Sequence, residues 1–145
     1  MSDRSVIPDD LARRIGATML SREGAGLAWG VELETARVGY ARAAMTVRAD
    51  MLNGHGTAHG GMIFALADSA FAYACNSRNQ AAVAQHASIS FLTPAREGER
   101  MVAEAVERGV AGRSGVYEVT VRVGERVVAV FQGLSRTVGG TVVEL

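Results

Sequence analysis

From about residue 9 to 21, Leu11, Ile15, Met19 and Leu20 fall among charges at helical spacing after Pro8, which predicts a short amphipathic helix that Gly24 and Gly26 break. From Leu27 to Ala36 and from Tyr40 to Ala49 apolar and polar residues alternate. With Val38-Gly39 between them, this is the pattern of two half-buried strands in a hairpin. The run from Met62 to Asn76 is apolar or small on nearly every side, as in a buried helix, and Asn76 to Gln80 makes a polar stop. Alternation returns in Ala82 to Leu92, Arg100 to Val110, Val116 to Val123 and Arg126 to Val138, punctuated by Gly98, Gly112, Gly115 and Gly124. Gly124-Glu125 is a hairpin signal. The order helix, two strands, buried helix, four strands predicts an α+β fold in which one antiparallel sheet curls around a single long helix.

Length and composition narrow this picture. A chain of 145 residues suits one domain, read here as 1–145. No apolar run reaches the roughly 20 residues of a membrane helix. Asp3, Pro8, Asp9 and Asp10 stand where a secretory leader needs a basic and then an apolar segment, so a cytoplasmic protein is expected. The formal charge is zero and the basic residues form no block, which argues against a nucleic-acid partner. All 15 basic residues are arginine, so a lysine Schiff base and a P-loop lysine are excluded. The single Cys75 has no disulfide partner in the chain and follows Ala74 in the apolar run, the setting of a buried, inert thiol.

The candidate chemistry centres on Asp68, the one charge inside the apolar helix. An ionised carboxylate there is costly unless it is paired or used. Catalysis is one use; pairing with an arginine or capping a neighbouring backbone is the structural alternative. Immediately upstream, Asn53-Gly54-His55-Gly56-Thr57-Ala58-His59-Gly60-Gly61 opens at the positive end of the helix. His59-Gly60-Gly61 can present unobstructed backbone N–H groups to a carbonyl oxygen becoming negative, or the glycines can simply permit a tight turn. Gly60 and Asp68 are eight residues apart, about 12 Å along one helix at 1.5 Å per residue. One carbonyl cannot touch both, so a shared site requires two subunits with their helices side by side. A metal set of His55, His59, His86 and Asp68 is disfavoured, because the first two histidines lie in a glycine-broken loop and no His-Glu-x-x-His or cysteine pair is present. The glycine spacing also misses the dinucleotide fingerprint and lacks its βαβ unit.

Met51-Leu52-Asn53-Gly54-His55, His59-Gly60-Gly61, Phe64, the run Leu66 to Ser77, Phe91-Leu92-x-Pro94, Gly115-Val116-Tyr117 and Gly139-Gly140 together closely resemble the hotdog-fold acyl-CoA thioesterases of the phenylacetic acid degradation type. The resemblance covers nearly the whole chain. It implies a hotdog fold, a long central helix wrapped by a curved antiparallel β-sheet with a short N-terminal helix, in a homotetramer built as a dimer of dimers with active sites at subunit interfaces. Asp68 would be nucleophile or general base. From the opposite subunit, Gly60 would donate its N–H to the thioester oxygen, His59 would support the loop or the thiolate side, and Asn53 would orient water or the carboxylate. The implied substrates are phenylacetyl-CoA and hydroxyphenylacetyl-CoA, with no metal or other cofactor, coenzyme A being part of the substrate.

Related thioesterases often place a serine or threonine on the strand after the helix, where this chain has Ala84 and Gln85; Gln85, Ser88 or Ser69 could stand in. Gly61, Ser69, Gln85 and Arg113 are therefore expected to contact substrate, with Arg108 and Arg136 as further phosphate partners. Two other functions share such a fold: an enoyl-CoA hydratase or dehydratase, and a non-catalytic acyl-CoA-binding module. The first needs a histidine beside an acid, whereas His59 precedes two glycines; the second leaves Asp68 unexplained.

Overall fold

The computed structural model describes residues 8–145, so the reading of residues 1–7 lies outside the described residues. Helix α1 spans Pro8–Arg22, with Asp9 and Asp10 in its first turn and Arg22 in its last, where they complement the helix dipole. A short helix α2 (Gly24–Ala28) follows, then strands β1 (Glu32–Arg37) and β2 (Tyr40–Thr46) and a 3₁₀ turn, Ala49–Met51. Helix α3 is Gly60–Cys75, and β3 (Ala82–Phe91), β4 (Arg100–Ala111), β5 (Ser114–Val123) and β6 (Arg126–Thr137) complete the chain.

The expected elements are present, with one correction. The strand expected from Leu27 begins only at Glu32, and Gly24 and Gly26 lie inside α2 instead of ending the helical region. Gly26 is buried, and a Cβ there would meet Leu20 Cδ1 at 2.9 Å, so close packing against α1 holds this glycine-rich turn where local alternation suggested a strand. Gly30, at φ 69°, turns the chain before β1.

One curved, unclosed antiparallel sheet of six strands runs in the order β1-β2-β4-β5-β6-β3. Two-residue turns join its long central hairpins. Gly112 (φ 59°) and Gly124 (φ 58°) each take the first of the two loop positions, where a hairpin matched to strand twist requires positive φ. Extra residues at Gln85 in β3 and Arg108 in β4 bulge the ladders, and bulges increase local twist and bend. In this way the sheet wraps α3.

Ile63, Leu66, Ala67, Ala70, Phe71, Tyr73 and Ala74 of α3 are buried against Ala43 and Met45 of β2, Met101 and Ala103 of β4, Val119 and Val121 of β5, and Ala129 and Phe131 of β6. Alanines on the sheet face let it approach the helix closely. The space left at the centre is filled by aromatic rings: Phe71 lies 5.4 Å from Tyr117 and 5.8 Å from Phe131, centroid to centroid. Gly133 faces the edge of the Phe71 ring and makes room for it.

Two surfaces lack cover. The stripe Phe64, Asp68, Ala72, with Ala65 and Ser69 beside it, is only half-buried, so α3 is not enclosed on every side within one chain. Strand β3 is an edge, and most of its residues are exposed, including the consecutive run Val83 to His86, so neither face of the strand is covered along that run. Among the described residues, no helix is long and apolar enough to cross a membrane.

Candidate functional site

The loop before α3 is built by Asn53. Its Oδ1 accepts from the backbone N–H of His55 (2.9 Å) and of Thr57 (3.2 Å), and its Nδ2 donates to Thr57 Oγ1 at 3.1 Å. Backbone bonds from His59 N to Met51 O and from Ala58 N to Ala95 O, both 2.8 Å, clamp the loop's far end. An asparagine suits this position because its short amide can satisfy its own loop's donors. Within one chain Asn53 is therefore a loop-holding residue with its acceptor oxygen committed.

His59 is the N-cap of α3 (φ −60°, ψ 136°), and its Nδ1 accepts from Gly61 N at 2.9 Å. That bond requires the tautomer with its proton on Nε2. It also distinguishes the two glycines: the Gly61 N–H is occupied, whereas no acceptor among the described residues takes the Gly60 N–H. Gly60 is the first residue of α3, so its donor is one of the orphan groups of a helix start, aimed out at the positive end of the dipole. It opens on a cavity of about 350 Å³ shared with Asn53, Thr57, Ile63, Phe91 and Pro94.

Asp68 lies two turns further along α3 and lines a different cavity, of about 430 Å³, with Glu23, Trp29, Phe64, Ser69 and Ala72. Half-buried, it has no arginine and no hydrogen-bond donor among the described residues, so neither the ion-pair nor the backbone-capping alternative holds in this chain. Burial alone pushes its carboxyl above the usual carboxylate range. Ser69, which lines the same cavity, donates its Oγ hydroxyl to Ala65 O at 2.9 Å.

Glu23 of this cavity and Tyr73, buried behind it, escaped the sequence reading. Tyr73, buried in α3, donates its hydroxyl to Glu23 Oε1 at 3.1 Å across 50 positions of sequence. Burial, and after it the charge of Asp68, raise the Glu23 carboxyl, while the Tyr73 hydrogen bond opposes them. Neither residue has a local signal: Glu23 is one charge in a glycine-rich turn, and Tyr73 reads as core.

The other candidates lie elsewhere. Gln85 is exposed at the β3 bulge on the sheet edge, on the strand whose far end, Phe91, lines the Gly60 cavity, but Gln85 itself lines neither that cavity nor the Asp68 one. Arg113 sits in the β4–β5 turn and lines a cavity of about 380 Å³ with Gln80, Gly112, Thr137 and Gly140, without a carboxylate partner among the described residues. Arg108 pairs with Glu118 at 3.3 Å, and Arg136 is exposed on β6. Cys75 is half-buried, its thiol pushed up to about 12 by burial and then by the charge of Asp68, so it stays un-ionised. No group of three or more His, Cys, Asp or Glu among the described residues is placed to hold a metal ion.

This arrangement offers a free N–H donor at a helix start and an unpaired carboxylate of raised basicity, the two parts that acyl transfer from an activated carbonyl needs. Comparison with known proteins agrees. The chain is 42% identical over 125 residues to the acyl-coenzyme A thioesterase PaaI of Escherichia coli strain K12, covering 86% of this chain and 89% of that protein. The solved structure of the E. coli PaaI protein from the phenylacetic acid degradation operon matches with a TM-score of 0.91 at 39% identity, covering 93% of this chain and 99% of that one. A mutant of the phenylacetic acid degradation protein PaaI from Thermus thermophilus matches with a TM-score of 0.78 at 40% identity, covering 80% of this chain and 100% of that one. The family model of the Thioesterase superfamily matches residues 55–130, from the glycine loop through α3 and Asp68 into β6. With its hotdog architecture of one long helix in a curved antiparallel sheet, the chain belongs to the thioesterase superfamily.

Proposed function

We propose that this thioesterase hydrolyses acyl-CoA thioesters, with phenylacetyl-CoA and hydroxyphenylacetyl-CoA as its substrates, to the free acid and coenzyme A. The carrying observation is that the Gly60 N–H and the Asp68 carboxylate, both without a partner among the described residues, belong to one helix yet open on separate cavities. Each protomer thus supplies half of two sites.

In the assembled site, Asp68 of one subunit acts as nucleophile or as general base. As base, it takes the proton of a water that attacks the thioester carbon; the carbonyl electron pair moves to oxygen, where the Gly60 N–H of the other subunit stabilises it. Collapse of the tetrahedral species breaks the C–S bond and releases coenzyme A as thiolate. His59 fixes the helix start by holding Gly61, and Asn53 holds the loop. Ser69 lies beside Asp68, Gln85 reaches the site from the edge strand of a neighbouring subunit, and Arg113 holds a coenzyme A phosphate. A thioester is already activated and a thiolate leaves readily, so no metal or redox cofactor enters the scheme.

The uncovered edge of β3 and the half-open stripe of α3 support a homodimer formed edge to edge, two of which make a tetramer. Coenzyme A as substrate fits a cytoplasmic enzyme. The test is free-thiol release from a panel of acyl-CoAs by wild type, by Asp68→Asn, and by co-expressed Asp68→Asn and Gly60→Pro chains. Each variant alone should be nearly inactive. The mixture should recover about a quarter of wild-type activity, because half of random dimers are mixed and one of their two sites is intact. Absence of recovery in confirmed mixed dimers refutes the shared site; no thiol release by folded wild type refutes the thioesterase reading.

A further inference from the structure

The cavity around Asp68 has a polar end for which hydrolysis itself has no need. Its walls are apolar, with Trp29, Phe64, Ala65 and Ala72 among its lining residues, and Glu23 stands among them. Glu23 occupies the N-cap position of α2, yet its side chain makes no capping hydrogen bond. The carboxylate turns to the Tyr73 hydroxyl instead, accepting at Oε1. Its other oxygen, Oε2, lies over Gly26, where any Cβ would collide with it. The glycine thus makes the space, and the tyrosine fixes the orientation. No donor among the described residues reaches Oε2. A carboxylate held in this way, half-buried and with one acceptor oxygen unused, is arranged to receive a donor from outside the chain.

Position along α3 indicates which part of a substrate would reach it. Tyr73, which holds Glu23, follows Ala72, which lines the cavity and lies four residues beyond Asp68, roughly one helical turn or about 6 Å further along it. That is the same order as the span from a thioester carbon to the far edge of a phenylacetyl ring. The aromatic lining suits a ring, and a ring whose carbonyl lies at Asp68 would present its far edge to Glu23.

Resting on the acyl-CoA thioesterase reading above, we propose that Glu23, positioned by Tyr73 and accommodated by Gly26, is a specificity-determining residue that accepts a hydrogen bond from a hydroxyl at the far end of the acyl group. Hydroxyaryl-acetyl thioesters are then favoured over their unsubstituted counterparts. The preference comes from both sides: the hydroxyl gains a charged acceptor, and an acyl group without it leaves that acceptor desolvated and unmet. Burial and the nearby charge of Asp68, which raise the Glu23 carboxyl, make it a stronger acceptor when ionised.

The experiment compares kcat/KM for phenylacetyl-CoA, 3-hydroxyphenylacetyl-CoA and 4-hydroxyphenylacetyl-CoA in wild type, Glu23→Met, Glu23→Gln and Tyr73→Phe. Wild type should favour at least one hydroxylated substrate by about tenfold or more. Glu23→Met, of similar length but without an acceptor, should erase that preference by lowering the hydroxylated rate about tenfold to a hundredfold, while the phenylacetyl-CoA rate holds or rises as the unmet acceptor is removed. Glu23→Gln keeps a neutral acceptor and should retain part of the preference. Tyr73→Phe preserves the core ring and should weaken the preference by releasing the carboxylate, which also provides a reading if Glu23→Met fails to fold. Equal losses on all three substrates, or a wild type indifferent to the hydroxyl, overturn the inference while leaving thioester hydrolysis intact. No thiol release from any of them by wild type instead removes the reading on which it rests.

Discussion

Replacing Gly60 by proline removes one N–H hydrogen from the start of α3 and very little from the fold. Gly60 is the first residue of α3, where proline is favoured because its missing N–H is an orphan in any case. The preceding residue must be extended, and His59 already is, at φ −60° and ψ 136°. The steric cost falls on one side chain. A Cβ at residue 60 would stand 3.1 Å from Phe91 Cζ, and Phe91 is 53% exposed and able to swing aside. Stability should therefore change by less than about 1 kcal/mol, with the entropy lost from the unfolded chain offsetting the Phe91 contact. Activity should not survive as well. Removing one preorganised donor from an oxyanion site costs about a hundredfold to a thousandfold in kcat, roughly 2.7–4 kcal/mol of barrier. Thermal melts and thiol release at saturating acyl-CoA measure the two quantities, with Gly60→Ala as the control that adds the Cβ but keeps the N–H. If the proline variant retains kcat within about threefold of wild type, or if alanine loses as much as proline, the Gly60 N–H is not the oxyanion donor.

Asp68→Asn should lower kcat by roughly a hundredfold while raising stability near neutral pH, because it removes a half-buried charge that has no partner among the described residues. For this acid the folded-state value is raised, so the charge penalty is absent below the ordinary carboxylate value, grows through the window up to the folded value, and is constant above; melts of both proteins across the acid-to-neutral range should coincide in acid and diverge above. By the same shift, wild-type kcat/KM should fall with acidification at a pH above the ordinary carboxylate range, as a pH–rate profile will show; a limb at or below that range contradicts the upward shift, and the absence of any acid limb contradicts a general base at Asp68. Gly133→Ala should cost about 1–3 kcal/mol in denaturant unfolding, since a Cβ there would lie 2.7–2.8 Å from three carbons of the Phe71 ring, itself fixed between Tyr117 and Phe131. His59→Ala should lose about 1 kcal/mol with the α3 cap, and an unchanged melt would mean that Nδ1 does not carry the Gly61 N–H in solution.

Local rules went furthest where they had a period to follow. The strands from Arg100, Val116 and Arg126 were readable because alternation and the glycines at 112 and 124 agree, and the structure moves their bounds by only one or two residues. Asp68 and Gly60 stood out as candidates for a different reason, since a charge inside an apolar helix and a glycine pair at its start conflict with the local pattern around them. The strand expected from Leu27 failed because alternation over a few residues was overridden by packing of a glycine-rich turn against α1. Glu23 was unreadable altogether, its partner Tyr73 being 50 residues away and its room provided by the absence of an atom at Gly26.

By itself, then, the sequence determined the order of elements, the helix that must be buried, and the separation of about 12 Å between donor and carboxylate, because periodicity and helix rise are properties of the local chain. Tertiary structure alone decided which N–H at the helix start is unoccupied and that Asp68 has no counter-charge among the described residues, and that Glu23 lines its cavity. These are decided by which atoms from distant segments arrive at the same place, and a hydrogen bond or a desolvated charge exists only after that packing is complete.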